Sequence, residues 1–344
     1  MSAVPTAPSG PLDALTDVAG LSVGHYAEED LLRGVSVVLA PEGAVAGVDV
    51  RGAAPGTRET DLLGPTNLVE RVHAVLLAGG SVFGLAAAEG VVAWLAARGY
   101  GFPTSHGPVP IVPAAVLYDL GVCDPARRPT PAWGAAACDA ASTGAVACGS
   151  VGAGRGATTG KLPGGLPLRG GLGTASVVLG GAVTVAALVA ANPAGNVADP
   201  ATGRLYAEGA HPADVADLSV AGPGRSALEG APPPVASTTI GVVATDLPLT
   251  KAEATRLAVM AHDGIARAVR PAHTWLDGDT LFALSTGRAA PPAGARRSHL
   301  LTAIGSAAAD VVTRAIARAV RAADPAPGWP AWREVTRSSR RSHG

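Results

Sequence analysis

Between Gly170 and Ala198 the chain carries no charged side chain. A segment of that length must be hidden from water, either as one unbroken helix in a bilayer or inside a protein fold. Gly180 and Gly181 interrupt it and Asn192-Pro193 closes it, so the sequence predicts a buried β-hairpin, Ala175 to Leu179 followed by Ala182 to Ala190. A spanning helix needs uninterrupted apolar residues, because the hydrocarbon offers nothing to satisfy a broken backbone, so no membrane partner is expected. The material for the surrounding core is restricted too. Aromatic residues make up 3% of the chain against 45 glycines and 29 prolines, so a core drawn from 48% hydrophobic residues must be closely packed Ala, Val and Leu. That composition favours layered sheets and helices over a loose bundle.

Other elements are read from periodicity and punctuation. Leu15 to Tyr26, Val35 to Leu39 and Ala44 to Val50 alternate in the manner of adjacent strands joined by turns. Ala74 to Leu77 is a strand closed by Gly79-Gly80, after which Ser81 is placed to cap a helix running to about Ala97. That helix is apolar nearly all round, which predicts that it is sandwiched inside the fold. Strand signals return at Ile111 to Leu120. Residues 207–236 are rich in Ala, Gly and Pro without a sustained period and read as an exposed processing linker. Thr238 to Thr245 then reads as a buried strand by its β-branched content. Thr250 and Glu253 form a capping box for a helix with Leu257, Met260, Ala261 and Ile265 on one face, ended by Pro271. Asp277 to Leu284 is a turn entering a strand, and Thr302 to Val320 a final helix. The expected organisation is a single domain over 15–324, between a disordered 1–14 and a solvated, locally basic tail over 325–344.

With 26 basic and 27 acidic residues the chain has no net field to attract nucleic acid or an anionic surface. Cys123, Cys138 and Cys148 are odd in number and form no CxxC pair, so buried thiols are expected rather than disulfides or a zinc site. The first residues lack a basic start followed by an apolar run, so a cytoplasmic location is expected. No cofactor or metal is expected. Gly152, Gly154 and Ala157 make a nominal G-x-G-x-x-A, but no acid lies between Asp139 and Asp199 to hold a ribose. A phosphate loop ending at Gly160-Lys161 would need glycine where Arg155 stands and a hydroxyl where Leu162 stands. The serine elbow fails at Phe83 and Cys148, no HExxH occurs, and the Asp277-Gly278-Asp279 turn lacks the remaining ligands of a calcium loop.

A strand that begins with threonine directly after a flexible linker has the arrangement that an N-terminal nucleophile requires. Once the preceding peptide bond is broken, the Thr238 hydroxyl and its own α-amino group share one residue. Such an amine titrates near ~7.7 to 8.0, so at neutral pH part of it is free base and can take the hydroxyl proton. Read alone, a Thr-Thr pair opening a strand is ordinary β-structure.

Six blocks bring in more. GVSVVLAPEGAVAGVDVRGAAPGTRETDLL, NLVERVHAVLLAGGSVFGLAAAEGV, GATTGKL, ANPAG, STTIGVVAT and HTWLDGDTLFAL, in that order, resemble the DmpA-type aminopeptidases and nylon-oligomer hydrolases from about Leu15 to Val320. The resemblance implies an α+β fold, a four-layer αββα sandwich of the DmpA and ornithine-acetyltransferase type. It also implies self-cleavage into two chains that stay together, and a homotetramer acting on small peptide or amide substrates. Carried over position by position, it places the nucleophile on Thr238 with cleavage after Ser237, where the nylon-oligomer hydrolases have Asn. It places paired acids on Asp277 and Asp279, a site lysine on Lys161, an oxyanion donor on Asn192 and a substrate-side tyrosine on Tyr118. Lys161 is one of only two lysines in the chain. Two alternatives stay open at this point: an ornithine-acetyltransferase-like acyl transferase, and an unprocessed binding protein on the same scaffold.

Overall fold

A computed structural model describes residues 7–209 and 237–335. The expected linker over 207–236 therefore lies, beyond residue 209, outside the described residues. Eleven strands and four α-helices matter here. The strands are β1 (Ser22–Ala27), β2 (Gly34–Val50), β3 (Thr57–Arg58), β4 (Arg71–Ala78), β5 (Ala114–Val116), β6 (Thr158–Thr159), β7 (Leu168–Arg169), β8 (Gly171–Leu179), β9 (Val183–Asn192), β10 (Thr238–Thr245) and β11 (Thr280–Ser285). The helices are α1 (Ala87–Ala96), α2 (Pro131–Asp139), α3 (Lys251–Ala268) and α4 (Arg297–Ala322).

Strand β2 joins two halves of one hydrogen-bonded path, β3-β5-β4-β2-β11-β10-β9-β8, with β1 also on β2. Its first half pairs with β1 and β4, and its second half, from Val45 to Val50, pairs with β11. Between them the register against β4 slips from Leu39 to Ala44, a bulge of the kind that bends a strand. The two short strands read from the sequence are thus one continuous 17-residue strand.

Alternation along each strand then sends side chains to different cores. On β10, Ile240 and Val242 meet Val38, Val75 and Leu77 between the two half-sheets. Val243 turns the other way, onto Leu257 and Ile265 of α3 and Val312 and Ile316 of α4. On β4, Leu76 leaves the central core to meet Val91 and Leu95 of α1 and Trp133 of α2. Three apolar interfaces between four layers make an αββα sandwich.

The charge-free segment is the β8–β9 hairpin, paired from Leu179–Val183 to Gly171–Ala191, so its hydrogen bonds are met within the sheet. Strand β9 is buried throughout. On β8, Gly173 lets α4 approach closely: a Cβ there would stand 2.0 Å from the Ala315 carbonyl oxygen. Helix α4 is long and apolar enough to cross a membrane, yet it buries Ile304, Val311, Val312 and Ile316 against the sheet and α3.

Several expectations need correction. Ser81 caps nothing with its side chain. It has φ +55° and opens a 3-10 turn, Ser81–Ala86, that leads into α1. Helix α1 occupies an outer layer rather than the interior, with Val91 and Leu95 inward and the entrance residues Val82 and Phe83 exposed. The strand expected over Ile111 to Leu120 shrinks to Ala114–Val116, because prolines 110 and 113 supply no N–H to a ladder. Residues 10 and 13 of the N-terminal segment are held by the sheet and α4: Gly10 N donates to Ser176 Oγ at 3.0 Å, and Asp13 lies 2.7 Å from Arg314 and 2.9 Å from Arg318. The tail packs through residue 335, with Arg169 N donating to Pro330 O at 2.9 Å and Trp332 Nε1 to Gly203 O at 2.8 Å. The Thr250–Glu253 capping box is present as read, and α3 ends at Ala268, before Pro271.

Candidate active site

Strands β10 and β11 are parallel neighbours, so their first residues lie at the same end of the sheet, beside the last residue of β9. There Thr238 pairs with Asn192, and Ser237 continues beside Asp277. The Ser237–Thr238 peptide is held firmly. Ser237 N donates to Leu276 O at 2.9 Å, and Gly278 N donates to Ser237 O at 2.9 Å. The Thr238 hydroxyl also donates to the Ser237 carbonyl oxygen. Ser237 and Thr238 are buried, at 1% and 4% exposure. The carbonyl before the expected nucleophile is therefore polarised by a backbone N–H, with a hydroxyl against it.

Lys161 enters from the loop after β6, a loop fixed by Gly160 N on Gly195 O and Lys161 N on Ala194 O, each 2.9 Å. Its ammonium nitrogen is enclosed, donating to Asn192 Oδ1 at 2.9 Å, Asn192 O at 3.1 Å and Ser237 Oγ at 3.2 Å. No carboxylate is among these partners, so desolvation dominates and lowers the lysine to about 7, against opposing pulls from Asp277 and Asp119. The other lysine, Lys251, is also buried and donates to the Leu62 and Asn67 carbonyls.

Asn192 is fully buried. Its Oδ1 accepts from Thr158 N at 2.9 Å and from Lys161, while its Nδ2 donates to the Tyr118 carbonyl oxygen at 2.9 Å. In the intact chain, then, the amide on the Ser237 carbonyl belongs to Gly278, and Asn192 spends an N–H on Tyr118. Tyr118 itself, 36% exposed, lies beyond the end of β5. Its side chain lines a cavity of about 400 Å³ together with Val122, Lys161, Leu162, Pro167 and Trp329. Behind it, Asp119 and Arg33 form a fully buried pair at 2.9 Å.

The two acids open β11. Asp277 accepts from Ala194 N at 3.0 Å on one oxygen, and from Thr274 N at 3.0 Å and Thr274 Oγ1 at 2.5 Å on the other. Burial, and next the charge of Asp279, raise its pKa above the usual carboxylate range. Asp279 accepts from Thr239 N at 2.6 Å on Oδ1, and from His273 Nδ1 at 2.7 Å on Oδ2. The structure thus gathers Thr238, Ser237, Lys161, Asn192, Asp277 and Asp279 at one sheet end, with Tyr118 on the adjoining wall. Sequence reasoning missed His273, Thr274 and the Gly278 amide, all three inside the block HTWLDGDTLFAL. No group of three or more His, Cys, Asp or Glu side chains among the described residues could hold a metal.

The chain as a whole has relatives. A family model described as Peptidase family S58 matches residues 13–331. A Mycobacterium tuberculosis (strain ATCC 25618 / H37Rv) protein, an uncharacterized aminopeptidase, is 47% identical over 344 residues, spanning 94% of this chain and 98% of its own. The 6-aminohexanoate-oligomer endohydrolase of Kocuria sp. (strain KY2) is 32% identical over 325 residues, spanning 92% and 89%. Among solved structures, the L-aminopeptidase D-Ala-esterase/amidase from Ochrobactrum anthropi superposes with a TM-score of 0.69 at 25% identity. That match covers 93% of this chain and 89% of the Ochrobactrum protein, which is described as a variant of the Ntn hydrolase fold.

Proposed function

The chain belongs to peptidase family S58 and is a hydrolase of peptide and amide bonds of the N-terminal nucleophile kind, and from that premise we propose that it cuts its own backbone between Ser237 and Thr238 and then works through Thr238. One observation carries this reading: the Ser237 carbonyl oxygen receives both the Gly278 N–H and the hydroxyl of the next residue.

In the first stage Thr238 Oγ1 attacks the Ser237 carbonyl carbon, and the Gly278 N–H stabilises the oxyanion that forms. Lys161, brought to about 7 by burial, is partly neutral at neutral pH and supplies a base beside the bond. Collapse breaks the C–N bond, leaving Ser237 esterified to Thr238 and the Thr238 amine free. Water then hydrolyses the ester, releasing a carboxylate at Ser237. In the second stage the freed amine takes the hydroxyl proton as Thr238 attacks a substrate carbonyl. The amine of the substrate leaves with a proton, and water releases the acyl group from Thr238. Asp279 fixes the Thr239 amide, and Asp277, whose pKa is raised, shares a proton at the site.

The substrate is a small peptide or peptide-like amide, most simply an aminopeptidase substrate. The cavity of about 400 Å³ beside Lys161 supports this, since its walls are mainly apolar. The same reading includes a homotetramer, which would cover exposed apolar side chains such as Leu68 and Trp275. It also includes a cytoplasmic location, supported by the free thiols of Cys123, Cys138 and Cys148.

Intact-mass measurement tests the reading. Active protein is expected as fragments 1–237 and 238–344, the second beginning Thr-Thr-Ile. Thr238→Ala is expected as one uncut chain without activity on short p-nitroanilides. Turnover by Thr238→Ala would overturn the assignment.

A further inference from the structure

Two consecutive loop residues each grip one of the paired acids. Thr274 binds Asp277 through its N–H and its hydroxyl. His273 binds Asp279 Oδ2 through its ring Nδ1 at 2.7 Å and its backbone N at 3.2 Å. The other oxygen of Asp279 accepts from Thr239 N at 2.6 Å, on the residue that follows the nucleophile. A carboxylate held from both sides can neither rotate about its own bond nor slide along the strand. Its orientation therefore sets where the Thr238–Thr239 backbone lies.

The imidazole is braced in turn. His262 lies across it with ring centroids 5.0 Å apart and planes at 66°, and His262 Nε2 donates to Asp49 O at 3.0 Å. The side chain of Asp49 is the further charge facing His262, 3.8 Å from Nε2. The backbone of His273 sits at φ +53°, in the left-handed region that a β-carbon disfavours. A strained, non-glycine residue whose ring and amide both converge on one buried carboxylate oxygen is the pattern expected where geometry is held for function.

We infer that His273 is a positioning residue: through Asp279 it fixes the Thr239 amide and so aims the hydroxyl and amine of Thr238. This rests on the N-terminal threonine reading. Nothing in it requires His273 to touch substrate.

Two substitutions separate the ring's hydrogen bond from the backbone conformation. Glycine and asparagine both accept φ near +53°, but only asparagine carries a side-chain N–H donor at roughly the place of Nδ1. Self-cleavage half-time is followed by intact mass, and kcat and KM are measured for the cut protein on an alanine p-nitroanilide. His273→Gly is expected to lengthen the half-time and lower kcat by on the order of 10- to 100-fold, the effect of a misaimed reacting group, with KM within about twofold. His273→Asn is expected to recover to within about threefold of the parent. The inference is overturned if His273→Gly matches the parent in both rates, or if His273→Asn is as slow as His273→Gly. Thr238→Ala is run alongside to separate the two readings. If it turns substrate over, the nucleophile assignment fails and takes this inference with it. If it is inert while His273→Gly is normal, the failure belongs to His273 alone.

Discussion

Replacing Lys161 by methionine should do opposite things to folding and to chemistry. Burial lowers the lysine from 10.5 to about 7. At about 1.4 kcal/mol per unit, charging it in the folded protein is disfavoured by up to about 5 kcal/mol relative to the unfolded chain. That figure is an upper limit, because the stem borders the cavity and water screens part of the charge. The sign follows from proton counts. Between pH 7 and pH 10.5 the unfolded chain binds more protons at this site than the folded one, so stability rises with pH through that window. Below about pH 7 both states are protonated and this slope vanishes. Lys161→Met should therefore be most stabilising at and below about pH 7, and its advantage should shrink by up to about 1.4 kcal/mol per pH unit toward pH 10. Urea unfolding at pH 7, 8 and 9, in a Thr238→Ala background that keeps the chain intact, isolates the term, since other groups cancel between the two proteins. Self-cleavage of Lys161→Met in the native background should be slowed at least 10-fold. A stability difference that is flat with pH would refute the idea of a lysine buried close to neutrality. Undiminished self-cleavage would remove Lys161 from the mechanism.

Other perturbations have equally definite outcomes. Gly278→Ala places a Cβ 2.5 Å from the Ala54 carbonyl oxygen. It should shift the Gly278 N–H off the Ser237 carbonyl, slowing self-cleavage in an intact-mass time course and destabilising by about 1–3 kcal/mol. Asp277→Asn should fold but process slowly. Because the Asp277 pKa is raised, the folded state holds this proton to higher pH than the unfolded one, so relative to Asn the parent should lose stability as pH climbs through the carboxyl range. Denaturant curves at pH 4 and pH 7 check the sign. Thr250→Ala removes the hydroxyl that accepts from Glu253 N and should lower stability by about 1 kcal/mol without touching turnover, as a calorimetric scan would show.

The layered core was legible because its signals are local. Alternation on β10 and the uncharged hairpin β8–β9 follow from residue types alone. The continuity of β2 was not, since Pro41-Glu42-Gly43 has the composition of a turn and only the flanking strands make it a bulge. Helix α2, with four alanines among its nine residues and no sustained apolar stripe, gives little local warning and is defined by the Tyr26 and Trp133 packing it completes. At the site, Thr238, Lys161 and the two acids were recognisable by type through the family blocks. The Gly278 donor was not, because a backbone amide has no signature in the sequence. His273 escaped for a related reason: its role depends on a left-handed backbone that turns its ring back onto Asp279.

The order of strands in the sheet bears on what cutting would mean for the molecule. Strands β10 and β11, both downstream of Ser237, are inserted between β9 and β2, both upstream of it. Severing the joint would leave two polypeptides interleaved, neither able to withdraw without breaking the β2–β11 and β10–β9 seams together. Such an enzyme would melt as a unit but recover as two partners that must find each other, so its return from denaturant should slow on dilution while Thr238→Ala refolds at a rate indifferent to concentration. Maturation would thereby turn a fold that can rebuild itself into one that is assembled once and retained by its barrier to unfolding.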